Sequence, residues 1–172
     1  MSESQSPIFT RLASLDDAAA MAEIYNFEVE NSTATMDLVP RTLSDQRQWI
    51  ADRSGAFSAL VAVTSNGEIV GFAALSPFKE RAAYRPTVED SIYVHRDFAR
   101  QGIGRQLLSE LLNMASTSGF HSVMARIEAS GTASQALHAS LGFRRVGVEI
   151  EVARKFNRWL DIVVMQRLLS EK

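Results

Sequence analysis

The chain contains no cysteine among its 172 residues. A disulfide framework, a zinc–thiolate site and a cysteine nucleophile are therefore excluded, and a reducing compartment is compatible with the composition. An excess of basic residues is also absent, because 18 Lys and Arg oppose 20 Asp and Glu for a formal charge of −2. This balance gives no electrostatic basis for binding nucleic acid or an anionic membrane.

The sequence also lacks an apolar run of membrane-spanning length. Its first residues, Met1 to Pro7, do not contain the basic and apolar regions of a secretion signal. Hydrophobic residues make up 46% and charged residues 22%, which is ordinary for a globular protein. We therefore expect one soluble, cytoplasmic domain over residues 1–172, with no membrane and no nucleic-acid partner.

The most informative stretch runs from Thr87 to Leu112. Residues 87–94 are predicted to form a strand, and an amphipathic helix is predicted after Gly102 and Gly104. The first N–H groups of a helix have no partner within the helix, and the helix dipole adds positive charge there. With Arg100 and Arg105 nearby, this turn is predicted to bind phosphate, although two glycines alone would be more typical of an ordinary tight turn.

The remaining periodicities predict the element order β-α-α-β-β-β-α-β-α-β-β. Asn66-Gly67 predicts a two-residue hairpin turn, and the second helix is expected to end at Gly55 before a strand over 56–64. We interpret the order as an α/β (α+β) fold with one mixed, mostly antiparallel sheet and helices on both faces. The strands at 87–94 and 122–127 should be parallel neighbours joined by a right-handed crossover.

The sequence resembles the GNAT superfamily of N-acetyltransferases. Its turn resembles the family pattern Gln/Arg-x-x-Gly-x-Gly/Ala, with Ala99 in place of the first residue, and Leu141-Gly142-Phe143 matches a second family motif. Within the superfamily, the chain is most similar to the phosphinothricin and methionine sulfoximine acetyltransferases. The matching segments are Ile24–Asn26, Thr87–Val94, Leu137–Phe143 and Lys155–Asp161.

The resemblance implies a GNAT fold of about six to seven strands and about four helices. The fourth strand should carry a bulge and splay from the fifth, so that acetyl-CoA can hydrogen-bond to the exposed strand edge. An asparagine often found before the last helix is replaced by Gly131-Thr132-Ala133-Ser134. The predicted cofactor residues are Ile92, Tyr93, Val94, Arg100, Gln101, Gly102, Ile103, Gly104, Arg105, Gly131 and Ser134.

The resemblance also implies two catalytic residues, Glu89 as general base and His138 as the acid that protonates the leaving thiolate. From residue type alone, Glu89 would be an exposed glutamate, and His138 would equally suit a polar helix surface. An oxyanion donor is expected among the N–H groups of residues 92–94. No metal is implied.

The loop before the fourth strand supplies the expected acceptor contacts. Its basic side chains would hold a carboxylate and its aromatic side chains would form apolar walls, although a solvated basic loop would have the same composition. The predicted acceptor residues are Phe27, Phe78, Lys79, Arg81, Tyr84, Thr87, Val88 and Glu89, with Arg85 as a further donor.

These expectations define an acetyl-CoA-dependent N-acetyltransferase that acts on the α-amino group of a small, amino-acid-like molecule. The absence of cysteine favours direct transfer in a ternary complex, and the resemblance implies a homodimer. One alternative is a GNAT enzyme for protein N-termini, polyamines or aminoglycosides. The other is a non-catalytic acyl-CoA sensor, which the changes at Ala99 and Gly131 would favour.

Overall fold

A computed structural model describes residues 7–169, and the element order is the predicted one. The strands are β1 (Ile8–Leu12), β2 (Leu60–Thr64), β3 (Ile69–Pro77), β4 (Thr87–Val94), β5 (Ser122–Glu128), β6 (Arg144–Lys155) and β7 (Arg158–Leu168). The helices are α1 (Ala18–Asn31), α2 (Leu43–Ala51), α3 (Ile103–Thr117) and α4 (Thr132–Ser140). Four single 3₁₀ turns lie between these elements.

The strands form one seven-stranded sheet in the order β1-β2-β3-β4-β5-β7-β6. β4 and β5 are parallel, and the other five neighbouring pairs are antiparallel. A parallel pair needs a crossover connection, and α3 supplies it. The predicted mixed, mostly antiparallel sheet and the parallel pairing of β4 with β5 are confirmed.

Helices cover both faces of this sheet. On one face, α1 and α2 bury Met21, Tyr25 and Ile50 against Phe72 of β3. On the other face, α3 buries a stripe that includes Leu107 and packs on β2, β3 and β4. Within residues 7–169, no helix combines the length and apolar character that a membrane span requires.

Successive side chains of β4 alternate between the two helical layers. Val88 and Ile92 join the core under α3, whereas Tyr93 joins the core under α1. By the same alternation Glu89 points to the α1 face and Asp90 points to the α3 face. The two neighbouring acids at the centre of the sheet therefore belong to opposite sides of the molecule.

Some predicted boundaries were wrong. Helix α2 ends at Ala51, and Gly55 begins a 3₁₀ turn, so β2 starts at Leu60 instead of residue 56. The hairpin between β2 and β3 is present, but Gly67 alone has positive φ and the turn is longer than two residues. The two-residue turn instead joins β6 and β7, where Phe156 and Asn157 both have positive φ.

Candidate active site

A gap opens in the sheet between β4 and β5. The two strands pair only from Thr87 to Glu89 on β4, against Ser122 to Met124 on β5. Both strands continue beyond this point, to Val94 and Glu128, without pairing to each other. The predicted splay between the fourth and fifth strands is confirmed, and beyond Glu89 the β5-facing edge of β4 has no strand partner in the described part of the chain.

A cavity of about 790 Å³ occupies this gap. It is lined from the α1 face by Glu89, by residues 32–37 and by Arg126, and from the opposite face by Asp90 and His138. Because the gap passes through the sheet, groups on opposite faces of β4 line one cavity. The structure therefore brings the predicted base and the predicted acid together.

Glu89 is half-buried on the α1-side wall. Burial raises the pKa of its carboxyl group above the ordinary value, the Arg126 guanidinium lowers it, and the charges of Asp90 and Glu149 raise it further. The net pKa is raised. Within residues 7–169, the Glu89 carboxylate has neither a hydrogen bond nor an ion pair with a side chain. A half-buried carboxylate with a raised pKa and no partner can accept a proton from a bound molecule.

His138 lies on the opposite wall and is only 4% exposed. Its Nε2 is 2.9 Å from Oδ2 of Asp90, and its Nδ1 is 2.7 Å from the carbonyl oxygen of Ser134. Burial lowers the pKa of His138, but the hydrogen bond and charge of Asp90, with the Ser134 carbonyl, outweigh this effect. The pKa is raised, and the pair joins α4 to β4 across the gap.

The loop that follows α1, residues 32–37, forms part of the α1-side wall of the cavity. The Tyr25 hydroxyl hydrogen-bonds to Oγ1 of Thr35 at 2.9 Å, and the buried Lys155 donates to the carbonyl oxygen of Thr35 at 2.9 Å. Thr33 donates to Glu128 on β5 at 2.7 Å. The buried Lys155 therefore acts as a support for this loop.

Two arginines line the same side of the cavity. Arg96 forms a two-point ion pair with Glu28, with both contacts at 2.7 Å, and its guanidinium lies 5.3 Å from the Phe27 ring centre. Arg126 pairs with Glu149 on β6. Phe27, a predicted acceptor residue, is thus next to a cavity-lining cation.

The glycine-containing turn lies at the start of α3, outside the cavity lining. Gly102 has φ +81°, and Arg100 also has positive φ at +62°. A Cβ on Gly104 would lie 3.1 Å from Leu137 of α4, so this glycine permits close packing of the two helices. Arg105 donates to Oγ of Ser140 on α4 at 2.8 Å. The turn is thus on the His138 side of the sheet.

The other predicted cofactor residues divide into two groups. Ile92, Tyr93, Gly131 and Ser134 line the cavity. Val94 packs against the α3-side core, and Ile103 is buried in it. The bulge expected in the fourth strand is absent, because β4 pairs with β3 in continuous register from Val88 to Val94. The gap therefore opens without any break in the pairing of β4 with β3.

The predicted acceptor loop does not line the cavity. Phe78 and Tyr84 pack edge to face at 5.8 Å, and the Lys79 ammonium lies about 5 Å from both ring centres. Arg81 and Arg85 flank a 3₁₀ turn on the surface. The loop joins β3 to the start of β4, where β4 and β5 are still paired, and the gap opens towards the other end. Its contact with an acceptor stays a prediction.

Two further predicted acceptor residues lie at the paired end of β4. Thr87 pairs with Ser122 on β5, and the Val88 side chain is fully buried in the α3-side core. The Val88 side chain therefore cannot contact an acceptor in this arrangement, and only its backbone remains available.

Sequence reasoning missed Asp90, Arg126, Arg96 and the loop at 32–37. A signal for Asp90 was present, because it occupies a core-facing strand position between Val88 and Ile92. A buried acid needs a partner, and a histidine in a neighbouring element was available. The arginines gave no such signal, since their pairing partners are distant in sequence.

Comparison with known proteins places this arrangement among acyltransferases. The model of the acetyltransferase (GNAT) family matches residues 19–143. The chain is 37% identical to the L-amino acid N-acyltransferase MnaT of Escherichia coli strain K12, over 94% of each protein. It is also 37% identical to the L-methionine sulfoximine/L-methionine sulfone acetyltransferase of Pseudomonas aeruginosa, over 91% of each. A solved Sinorhizobium meliloti phosphinothricin acetyltransferase in complex with acetyl-CoA superposes with TM-score 0.91 at 36% identity, covering 95% of this chain and 89% of that one.

Proposed function

The chain belongs to the acetyltransferase (GNAT) family, and we propose that it transfers the acetyl group of acetyl-CoA to the α-amino group of a small, amino-acid-like acceptor. The observation that carries this proposal is the cavity through the sheet, which Glu89 lines from one face and His138 from the other. The substrate class is supported by the relatives, whose names specify L-amino acids, methionine sulfoximine, methionine sulfone and phosphinothricin.

The residues on the α3 side fit coenzyme A. The turn before α3 offers helix N–H groups beside Gly102, where an added Cβ would meet nothing within 4 Å. The free edge of β4 at Ile92 and Tyr93 offers peptide groups for an extended arm. When bound, acetyl-CoA supplies the activated acetyl thioester. We propose that Gly102, Gly104 and Arg105 hold the diphosphate, with Arg100, Gln101 and Ile103 completing the turn.

On the opposite side of the gap, Glu89 prepares the amine. An α-ammonium group must lose a proton before it can attack, and a carboxylate with a raised pKa is a better acceptor for that proton. Glu89 has no competing side-chain partner among the described residues, so it can take the proton directly or through one water. The N–H groups of residues 92–94 at the strand edge are our candidates for the oxyanion donor.

We propose direct transfer in a ternary complex, since the chain has no cysteine to carry an acetyl-enzyme. The gap allows donor and acceptor to meet from opposite faces of the sheet. Initial rates measured over a grid of both substrates should give intersecting double-reciprocal lines. Parallel lines would indicate an acetyl-enzyme and contradict direct transfer.

We also propose a homodimer. Its support is a row of exposed apolar side chains on the edge strand β6 and its hairpin, including Ile150 (67% exposed) and Trp159 (57% exposed). Light scattering after size exclusion should give twice the chain mass. A monomer mass across a range of protein concentrations would contradict the proposal.

The substrate assignment is tested by a coenzyme A release assay. The panel contains L-amino acids, methionine sulfoximine, methionine sulfone and phosphinothricin, with a peptide, a polyamine and an aminoglycoside as rival acceptors. We expect turnover with members of the first group. Turnover confined to the rivals would assign a different acceptor. Acetyl-CoA binding without turnover on any amine would identify a sensor.

A further inference from the structure

Asp90 is an ionisable residue at a position where β4 is otherwise apolar. Val88 and Ile92 occupy the same face of the strand and pack into the α3-side core. The Asp90 side chain is 3% exposed and the His138 side chain is 5% exposed. Burying a carboxylate is costly unless it is paired and hydrogen-bonded, so the position requires an ionic partner.

His138 meets this requirement in a defined protonation state. Its Nε2 faces the Asp90 carboxylate and its Nδ1 faces the Ser134 carbonyl, and both of these partners only accept hydrogen bonds. An imidazole satisfies two acceptors only when both nitrogens carry protons. The Phe143 ring packs edge to face on the imidazole at 4.9 Å and shields it from solvent. The geometry therefore holds His138 as an imidazolium.

Other charged groups near α4 do not compete for His138. Glu89 points to the opposite face of β4, and Arg126 of β5 pairs with Glu149. Arg105 of α3 is bound to Ser140, and Arg167 of β7 donates to the carbonyl of Leu141. Asp90 is thus the charge that faces the imidazolium directly.

A proton on the buried imidazole can reach the cavity only through a neighbouring group that both accepts and donates a hydrogen bond. Ser134 lines the cavity, and its hydroxyl oxygen lies 3.5 Å from Nδ1 of His138, close to the carbonyl that Nδ1 already contacts. Catalytic hydrogen bonds of this length commonly shorten when ligands bind. A small rotation of the Ser134 side chain would bring the hydroxyl between the ring and the cavity.

We propose that Asp90, His138 and Ser134 form a proton relay to the sulfur of the departing coenzyme A. This inference rests on the proposed function. Asp90 is a positioning residue, His138 is the proton store, and Ser134 is the group that contacts the sulfur. The relay would lie on the α3 side of the sheet, opposite the base Glu89.

The relay delivers one proton to the sulfur as the thioester bond breaks. The acetyl carbon–nitrogen bond forms and the carbon–sulfur bond breaks, with its electron pair remaining on sulfur. Ser134 gives its hydroxyl proton to that sulfur and receives the Nδ1 proton of His138. His138 is left neutral, with its Nε2 proton still bonded to Asp90. A proton from solvent then restores the imidazolium. The nitrogen loses its second proton to Glu89, which has by then released the first proton to solvent, so the amide product is neutral at nitrogen.

The first test compares kcat across pH for the full-length enzyme and its variants. Ser134→Ala should lower kcat by about 100-fold, the lower end of the range typical of general acid catalysis. Ser130→Ala removes a hydroxyl from the same cavity, one bonded to Glu128 and not to His138, and should leave kcat unchanged. Unchanged kcat in Ser134→Ala would overturn the relay.

The same pH profiles test Asp90. The alkaline limb of kcat should move to lower pH in Asp90→Asn, and Asp90→Glu should restore part of the shift. An unmoved limb in Asp90→Asn would overturn the positioning role. Asp90→Asn is replaced in this test if it does not fold. Asp90→Glu and Ser134→Ala both keep a carboxylate at position 90, and their pH profiles then decide whether the relay operates.

A second measurement is independent of turnover. The His138 ring is titrated by NMR in protein labelled with ¹³C-histidine and free of ligand, with the resonance assigned by His138→Gln. We expect its pKa above the ordinary value of 6.5 and lower in Asp90→Asn. Equal titration in both proteins would overturn the role of Asp90. If no amine is acetylated, the proposed function fails together with the catalytic role of the relay, and this titration still decides whether Asp90 holds the imidazolium.

Discussion

Glu89 and Asp90 are consecutive acids on β4 that line the same cavity but differ in burial and in side-chain partners. Glu89 is half-buried on the α1 side, without a side-chain partner among the described residues, in a wall built partly from a loop. Asp90 is buried on the α3 side and bonded to His138 at 2.9 Å. The alternation of a strand is enough to separate them, because it sends neighbouring side chains into different layers.

The difference supports our proposal that one cavity contains both a base, Glu89, and an acid, His138. Burial without a partner raises the pKa of Glu89 and prepares it to accept a proton. Burial beside a carboxylate raises the pKa of His138 and keeps its proton in place. In the proposed mechanism, the residue that accepts a proton and the residue that stores one therefore lie on opposite faces of β4, and the gap between β4 and β5 connects them.

The largest expected effect on turnover comes from removing the proposed base, Glu89, on the α1 side. Glu89→Gln keeps the shape of the side chain but cannot take a proton, so kcat should fall by about 10²- to 10⁴-fold. Acetyl-CoA affinity, measured by calorimetry, should hardly change, because the diphosphate contacts that we propose lie at the turn before α3, on the other face of the sheet. Glu110→Gln on the exposed side of α3 is the control. Wild-type turnover in Glu89→Gln would remove Glu89 from the mechanism.

The second prediction concerns stability on the α3 side. His138→Gln leaves Asp90 as a buried charge without its ionic partner and should cost about 3 kcal/mol of unfolding free energy. The pKa of His138 is raised in the folded state, so the pair contributes fully below pH 6.5 and is lost as pH rises through the raised pKa. The destabilisation should therefore be larger at about pH 6 than at about pH 9.

The measurement is denaturant unfolding at both pH values. His95→Gln is the matched control, since the His95 ring accepts a backbone N–H from Asp97 and has no carboxylate partner among the described residues. A destabilisation of His138→Gln that does not depend on pH would show that the ring contributes only packing. The two faces of β4 would then differ in packing, but not in an ion pair that contributes to the free energy of unfolding.

Much of this site could be predicted from local patterns. Strand β4 has the predicted bounds, Thr87–Val94, because its apolar alternation and the polar residues after it are both local signals. A helix following the glycine turn was also predicted, and Gly102 adopts the positive φ that a glycine at a tight turn permits. The helix begins earlier than predicted, however, at Ile103, so that Gly104 lies within its first turn. The parallel pairing of β4 with β5 followed from the single helix between them.

The rest depends on contacts between distant residues. The point at which β4 and β5 separate is set by packing, and the expected bulge was wrong. The acceptor loop was expected in the site because it directly precedes Glu89 in sequence. It lies at the paired end of β4 instead, because an antiparallel connection from β3 must enter there. Asp90 was the one missed residue whose position in the strand pattern already pointed to a partner.

On the α1 side, the local stability of the wall depends on the hydrogen bonds that hold the loop at 32–37, and this stability can be compared with that of α4 on the α3 side. Lys155→Met removes the buried ammonium that donates to the Thr35 carbonyl, so the loop at 32–37 should lose about 1 to 2 kcal/mol of stabilisation. Hydrogen exchange should show faster opening of this loop and no change in α4. Arg154→Met, a neighbouring substitution that leaves the Thr35 contact intact, is the control. Unchanged exchange at 32–37 would mean that Tyr25 and Glu128 suffice to hold the loop.

The smallest effect should come from Arg126, which acts on Glu89 only through its charge. The guanidinium lowers the pKa of Glu89, and its removal in Arg126→Gln should raise that pKa further. Glu89 must be ionised to act as a base, so the acidic limb of kcat/KM should move to higher pH, while the alkaline limb, which we assign to His138, stays in place. Arg154→Gln, whose guanidinium bonds Asn157 at the end of the β6–β7 hairpin, should move neither limb. Movement of both limbs in Arg126→Gln would show that the two faces of β4 titrate as one coupled system instead of two.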